Sequence, residues 1–236
     1  MKGFKYYNGQ KSFSWPKNIQ EAKNIQIALR DKVKITPLRK KPEFVAGVDA
    51  AFINDMVIGV ACVFKFPQLL PVEDKFIIDK LIFPYIPGFL SFREGPAIID
   101  VLKSLKTQPD VVIFDGQGIA HPKGLGIASH IGVLLDMPSV GCAKSKLIGY
   151  YKEPGQTKGD LSLLMFKGEI KGAVLRTRDN VNPVFVSPGH RVDLNTSIKI
   201  VLECTGEFRI PEPLRRADIL SKRIKNERGL RGDISS

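Results

Sequence analysis

Five side chains in this sequence have the type and the setting for work on a charged substrate: Asp49, Glu94, Asp115, Lys144 and Asp218. Asp115 ends the apolar run Val111-Val112-Ile113-Phe114 and is followed by Gly116-Gln117-Gly118-Ile119-Ala120-His121-Pro122. An apolar run without period-2 alternation reads as a strand covered on both faces. The two glycines permit close approach of backbone and ligand, and ligand sites in open α/β sheets lie just outside the carboxyl ends of strands. Position alone also suits an aspartate that merely starts a turn. Asp49 interrupts the otherwise apolar segment FVAGVDAAFI, residues 44–53. A lone buried carboxylate costs on the order of several kcal/mol. Asp49 is therefore either ion-paired, with Lys144 or an arginine, or a metal ligand.

Ser91-x-x-Glu94 matches a capping box, a structural role. That frame puts Pro96 inside the helix, where its ring and its missing N–H both do harm. A helix starting near Pro96 leaves Glu94 in the loop before it, facing a site. Asp218 stands one helical turn after Leu214, at the edge of the apolar stripe of the last helix. Among Arg215, Arg216 and Lys222 it also reads as a surface acid. Taken together the four carboxylates make an all-oxygen set, which suits Mg²⁺, or Mn²⁺ in its place, and not zinc. In a basic chain such a set points to metal-assisted phosphodiester hydrolysis. Lys144, just past a short strand, is placed to hold the attacking water or to stabilise charge on the phosphate. Lys146 competes for that role if the strand continues.

The elements that must position these groups follow in order. Ile19, Ala22, Ile25, Leu29 and Val33 recur at helical steps, with Pro16 at the first helical position. Residues 36–42 are a basic, proline-containing loop. Segments 44–53, 56–66 and 72–83 read as an antiparallel meander, with a tight turn at Asn54-Asp55. A loop over 84–93 leads to a helix over 95–105, then the strand 111–115, a helix over 124–135 and a strand over 138–142. Strand, helix, strand implies a parallel crossover. Residues 161–166 and 170–176 form a hairpin about Lys167-Gly168-Glu169. A short strand, 184–186, runs into Ser187-Pro188-Gly189-His190-Arg191, and Asp193 or Asn195 caps a helix through Cys204. The last helix spans 211–226, and the ends, 1–15 and 228–236, read as irregular. The whole describes one α/β domain over 1–236, a mixed central sheet flanked by helices.

The formal charge is +12 over 236 residues, a field that attracts phosphate backbones or anionic surfaces. Three widely spaced cysteines form no zinc spacing and read as reduced thiols. No apolar segment is long enough for a signal or a bilayer span. A cytoplasmic protein with a polyanionic partner and no membrane association is expected.

Six motifs in order, GVDAAF (47–52), PYIPGFLSFREGP (84–96), VVIFDGQGIAHPKGLGIASHIG (111–132), PSVGCAKSKLIG (138–149), SPGHRVDL (187–194) and PEPLRRAD (211–218), resemble the endonuclease V family over about residues 20–226. The resemblance implies a ribonuclease H-like fold. It also implies a monomeric, Mg²⁺-dependent DNA repair enzyme that nicks at the second phosphodiester bond 3′ to deoxyinosine, leaving a 3′-hydroxyl and a 5′-phosphate. An inosine-specific endoribonuclease or a structure-specific nuclease of the same fold is the alternative, with single-stranded DNA or RNA as substrate. Asp49, Glu94 and Asp115 match the family's metal-site carboxylates and Lys144 its active-site lysine. Asp218 matches a position that varies between His and Asp. Tyr85, with Ile86 and Pro87, matches the wedge that enters the duplex beside the lesion. The bland reading of Tyr85 is a core-edge aromatic. Gly88, Gly116 and Gly118 then let backbone amides read the extruded base, with Leu90 and His121 lining its pocket. His121 also fits a metal-adjacent or a structural histidine, and no role is assigned to His190. Ala50-Ala51 departs from the family, where a larger residue, often a serine, follows the first aspartate.

Overall fold

The computed structural model describes residues 14–232, with side chains through 228. Eight strands form a single mixed sheet: β1 (Phe44–Ile53), β2 (Met56–Lys65), β3 (Leu70–Lys80), β4 (Val111–Phe114), β5 (Ser139–Ala143), β6 (Leu161–Phe166), β7 (Glu169–Leu175) and β8 (Val184–His190). Their order across the sheet is β3-β2-β1-β4-β5-β8-β7-β6. The meander β1-β2-β3 is antiparallel, and β4 runs parallel to both β1 and β5. β4 is thus central, with all four residues buried, which is why its sequence does not alternate. Asn54, with φ 51°, makes the tight turn that keeps β1 and β2 in register.

The helices are α1 (Ile19–Arg30), α2 (Leu90–Ser104), α3 (Ile127–Leu135), α4 (Leu194–Glu203) and α5 (Glu212–Gly232). Along β1 and β4, Ala46, Val48, Val112 and Phe114 face α2 and α3, while Val45, Val111 and Ile113 face α4 and Leu214 of α5. Gly47 lets α5 lie directly on β1, since a Cβ there would stand 2.2 Å from the Pro213 carbonyl carbon. Ala50 and Ala51 fill half-buried positions against the two cores, so small side chains fit there. The layered sheet is the mixed α/β, ribonuclease H-like architecture expected.

Several boundaries differ from expectation. α1 begins at Ile19: Asn18 caps it by accepting from Glu21 N, and the Glu21 carboxylate accepts from Lys17 N. Pro16 lies outside. α3 starts at Ile127, three residues later than expected. β8 extends through His190 because a register shift opposite Ser139 and Val140 absorbs Pro188 and Gly189, and a bulge is one of the places where a strand accepts proline. Asp193, not Asn195, caps α4, accepting from Thr196 N at 2.7 Å. α5 runs on to Gly232, past the expected end at 226. Residues 1–13 and 233–236, expected to be irregular, lie outside the described residues.

The largest correction concerns α2. It begins at Leu90 and carries Pro96 within it, so Glu94 sits in the helix and not in a loop before it. The capping box does not form either, because the Ser91 hydroxyl bonds His130 Nδ1 at 2.8 Å. Among the described residues, no helix is long and apolar enough to cross a membrane.

Candidate active site

The site follows from strand register. Val48 pairs with Phe114 across the parallel β1–β4 ladder. The next residue in each chain is Asp49 and Asp115, so two carboxylates emerge side by side where the central strands face α5. β5 pairs Gly141 with Phe114 and ends at Ala143, which puts Lys144 beside Asp115. Its Nζ donates to Asp115 Oδ2 at 2.5 Å. Lys146 is excluded from this contact because the strand has ended; its Nζ lies over the Tyr151 ring, 5.8 Å from the centroid.

α5 closes the site from one side. Ser221 donates to Asp49 Oδ2 at 2.5 Å, and Asp218, one turn earlier, pairs with Lys222 at 2.7 Å. α2 brings Glu94 from the other layer. Burial pushes the Glu94 carboxyl up to about 8, and the charges of Asp49 and Asp115 add to the shift. Burial likewise raises Asp49, opposed by the Ser221 hydrogen bond and reinforced by Asp115 and Asp218. Burial works against the Lys144 ammonium, but Asp115, with Asp218 and Asp49 behind it, holds its pKa above the usual lysine value. Four carboxylates and one lysine therefore feel one another. As they stand, no three acidic, histidine or cysteine side chains among the described residues converge closely enough to grip an ion. Asp49, Asp115 and Asp218 each commit an oxygen to a protein donor instead.

Beside the carboxylates opens a cavity of about 440 Å³. Tyr85, Ile86, Pro87, Gly88, Leu90, Gly116 and His121 line it, together with Asp115 and Lys144. Tyr85 is 68% exposed, which removes the core-edge reading. His121 is buried, and burial pushes its pKa down to about 4, so the ring is neutral. Gly118 does not line the cavity. Its Cβ position lies 2.0 Å from Pro188 O, and its N–H donates to Ser187 Oγ at 2.8 Å. The glycine is there so that the loop can pack flat on β8. His190 is also remote: Nδ1 accepts from Lys34 N and Nε2 bonds Asp136, both at 3.2 Å.

Two residues at this site carry no signal in the chain. Ser221 reads as a small helix residue. Gln117 lines the cavity while its Nε2 donates to Ser145 O at 3.1 Å, tying the Asp115 loop to the Lys144 loop.

A family model described as Endonuclease V matches residues 27–219. The chain is 48% identical over 218 residues to the Endonuclease V of Dictyoglomus turgidum, covering 92% of this chain and 95% of that one. To the Endonuclease V of Trichormus variabilis it is 50% identical over 210 residues, covering 88% and 95%. Among solved structures, Endonuclease V from Streptomyces avermitilis superposes with TM-score 0.87 at 38% identity, over 92% of this chain and 96% of that one. Endonuclease V from Ciona intestinalis, in complex with a 23mer DNA containing an inosine followed by a ribo-adenosine, superposes with TM-score 0.78 at 29% identity, over 89% and 97%. With its fold, its adjacent carboxylates on the two central strands and these relatives all in agreement, the chain belongs to the Endonuclease V family of nucleases.

Proposed function

We propose that this protein is a DNA repair endonuclease that nicks the second phosphodiester bond 3′ to deoxyinosine, with Mg²⁺ as its cofactor and Mn²⁺ as a substitute. The observation that carries this reading is the short loop from Asp115 to His121. One end belongs to the carboxylate cluster and the other to a cavity guarded by an exposed tyrosine. Bond cleavage and base reading are therefore joined by a few residues. The Ciona relative's bound DNA supports the substrate.

The donor set fits a hard divalent cation: all oxygen, with burial first and mutual repulsion second raising Asp49 and Glu94. Asp49 and Asp115, with Glu94 and Asp218 beside them, would hold it. Such an ion lowers the pKa of a bound water and neutralises charge growing on the phosphate. Lys144, held on Asp115 Oδ2, would leave Oδ1 for the cation and stand ready to meet the phosphate oxygens or the attacking water. Tyr85, between Pro84 and Pro87 in a stiff loop, stacks where the extruded base has left. The cavity takes the base, at an extrusion cost of about a few kcal/mol.

The test is nicking of duplexes that differ only in inosine or adenine at one position, with Mg²⁺. Equal cleavage of both overturns the reading. The relative's substrate carries a ribonucleotide after the inosine, which favours inosine-containing RNA as the second reading. Running inosine-DNA, inosine-RNA and branched DNA side by side separates these.

Two further results are expected. Tyr85→Ala is expected to slow single-turnover nicking of the inosine duplex by roughly 5–150-fold, the value of about 1–3 kcal/mol of base stacking. A single strand, which has no gap to fill, should be affected less. Equal loss on both would remove the wedge role. The raised Glu94 also means that cation binding at pH 7 expels a proton, roughly 0.9 per site for a group titrating near 8. Calorimetry in buffers of different ionisation enthalpy measures this release. It should halve near pH 8, be nearly gone by about pH 9, and vanish in Glu94→Gln. A release unchanged in that variant would take Glu94 out of the site.

A further inference from the structure

Gln26 is 3% exposed on the buried stripe of α1, between the apolar Ala22 and Leu29. A buried amide needs its hydrogen bonds. Its Nε2 donates at 2.8 Å to the carbonyl of Gly88, 62 residues away. Gly88 turns the PYIP loop into α2 with φ 83°. A Cβ there would meet nothing within 4 Å, so glycine serves the backbone angle and not a tight fit. The same carbonyl interacts with the His121 imidazole. His121 Nδ1 accepts from Lys123 N at 3.2 Å, which leaves the ring proton on Nε2. Around this point Ala22 and Ile25 of α1 share an apolar cluster with Phe83, Ile86, Phe89 and Phe92. α1 therefore holds the loop on both sides of Tyr85, by apolar contact at Phe83 and Ile86 and by an amide at Gly88.

We infer that Gln26 is a positioning residue for the tyrosine loop: its amide fixes the Gly88 carbonyl and thereby the placement of Tyr85 and Leu90 at the mouth of the base cavity. This rests on the proposed reading of that cavity. The matched family region begins at residue 27, so Gln26 lies just outside it. The competing role is simple docking of α1, in which the amide matters for stability and for nothing else.

The test uses two variants of the full chain. Gln26→Met keeps the length and packing of the stem but has no donor. Gln26→Asn keeps the amide one methylene short of its partner. One readout is amide hydrogen exchange over residues 84–91 without substrate. The other is the ratio of Kd values for an inosine-containing single strand and its adenine counterpart, with Ca²⁺ as the divalent ion. In both variants exchange over 84–91 is expected to quicken at least about tenfold, while residues 96–104 keep their rate. The inosine preference is expected to fall about tenfold through the inosine strand alone. A docking role lowers the melting temperature and moves neither readout, and that result overturns the inference. Faster exchange with the inosine preference intact overturns it as well. If the unaltered protein shows no preference for inosine, the proposed substrate falls, and exchange alone decides whether Gln26 holds the loop.

Discussion

Asp115→Asn is expected to cut nicking of an inosine duplex by at least about 10³-fold, the scale for removing one group of a cooperating catalytic set. The substitution keeps volume and strand end, since β4 is held by its buried side chains and by ladders on both sides. The melting temperature should therefore move little. Three effects coincide. One carboxylate of the proposed cation site is replaced by an amide. Lys144 loses its partner at 2.5 Å. The repulsion that helps hold Glu94 near 8 is weakened. Asp49→Asn is a less clean experiment, because Asp49 accepts from Ser221 of α5 at 2.5 Å and its loss also loosens a helix. The measurement is single-turnover nicking with Mg²⁺ and with Mn²⁺, alongside thermal unfolding. Activity within tenfold of the original in a stably folded Asp115→Asn would end the assignment of this carboxylate.

What is legible in the chain, and what is not, divides along sequence separation. β1 is legible to the residue because its apolar run is closed by Asn54, whose left-handed backbone makes the turn. Asp49 and Asp115 stand out because a carboxylate in or after an apolar run must be paired, bound to a cation or placed at a turn. Glu94 is misplaced by the sequence for a local reason. Proline inside a helix costs about 3 kcal/mol. Here Phe92, Ala97, Ile98, Val101 and Leu102 are all buried by the same helix, and each large apolar side chain contributes about 1.5–3 kcal/mol. Packing outweighs the proline, and no local rule contains that sum. Lys144 and Lys146 cannot be separated by spacing because the choice depends on where β5 stops. Gln26 and Ser221 are silent in the sequence for a different reason. Their partners lie 62 and 172 residues away, and a polar residue on a helix stripe gives no hint of a carbonyl or carboxylate that only the fold brings to it. Membership of the family does not say which helix residue steadies which loop.

Gly118→Val is expected to be the most damaging single substitution in the Asp115 loop, and through folding. From the sequence, two glycines flanking Gln117 look alike, and both read as floor for a base. The structure separates them. At Gly116 a Cβ would meet the Ile127 Cγ2 at 2.7 Å, a single side-chain methyl and no backbone atom. At Gly118 it would meet Pro188 O at 2.0 Å and Ser187 O at 2.9 Å, backbone atoms of a strand already fixed by its pairing with β5. The loop cannot retreat either. Gly118 N–H is held by Ser187 Oγ, Gly118 O by Gly126 N–H at 2.9 Å, and Ile119 N–H by Pro188 O at 2.8 Å. Overpacking against immovable backbone costs at least about 4 kcal/mol, or roughly 10 °C of melting temperature for a chain of this size. Gly116→Ala should stay within a few degrees and change the inosine-to-adenine ratio, since that glycine does line the cavity. Thermal unfolding of the two variants, followed by nicking assays on those that fold, distinguishes the roles. A Gly118→Val protein with unchanged stability and a selective loss of inosine recognition would return Gly118 to the pocket floor. A large fall in stability with Gly116→Ala little affected would show that the FDGQG loop is built from one glycine for the ligand and one for the sheet.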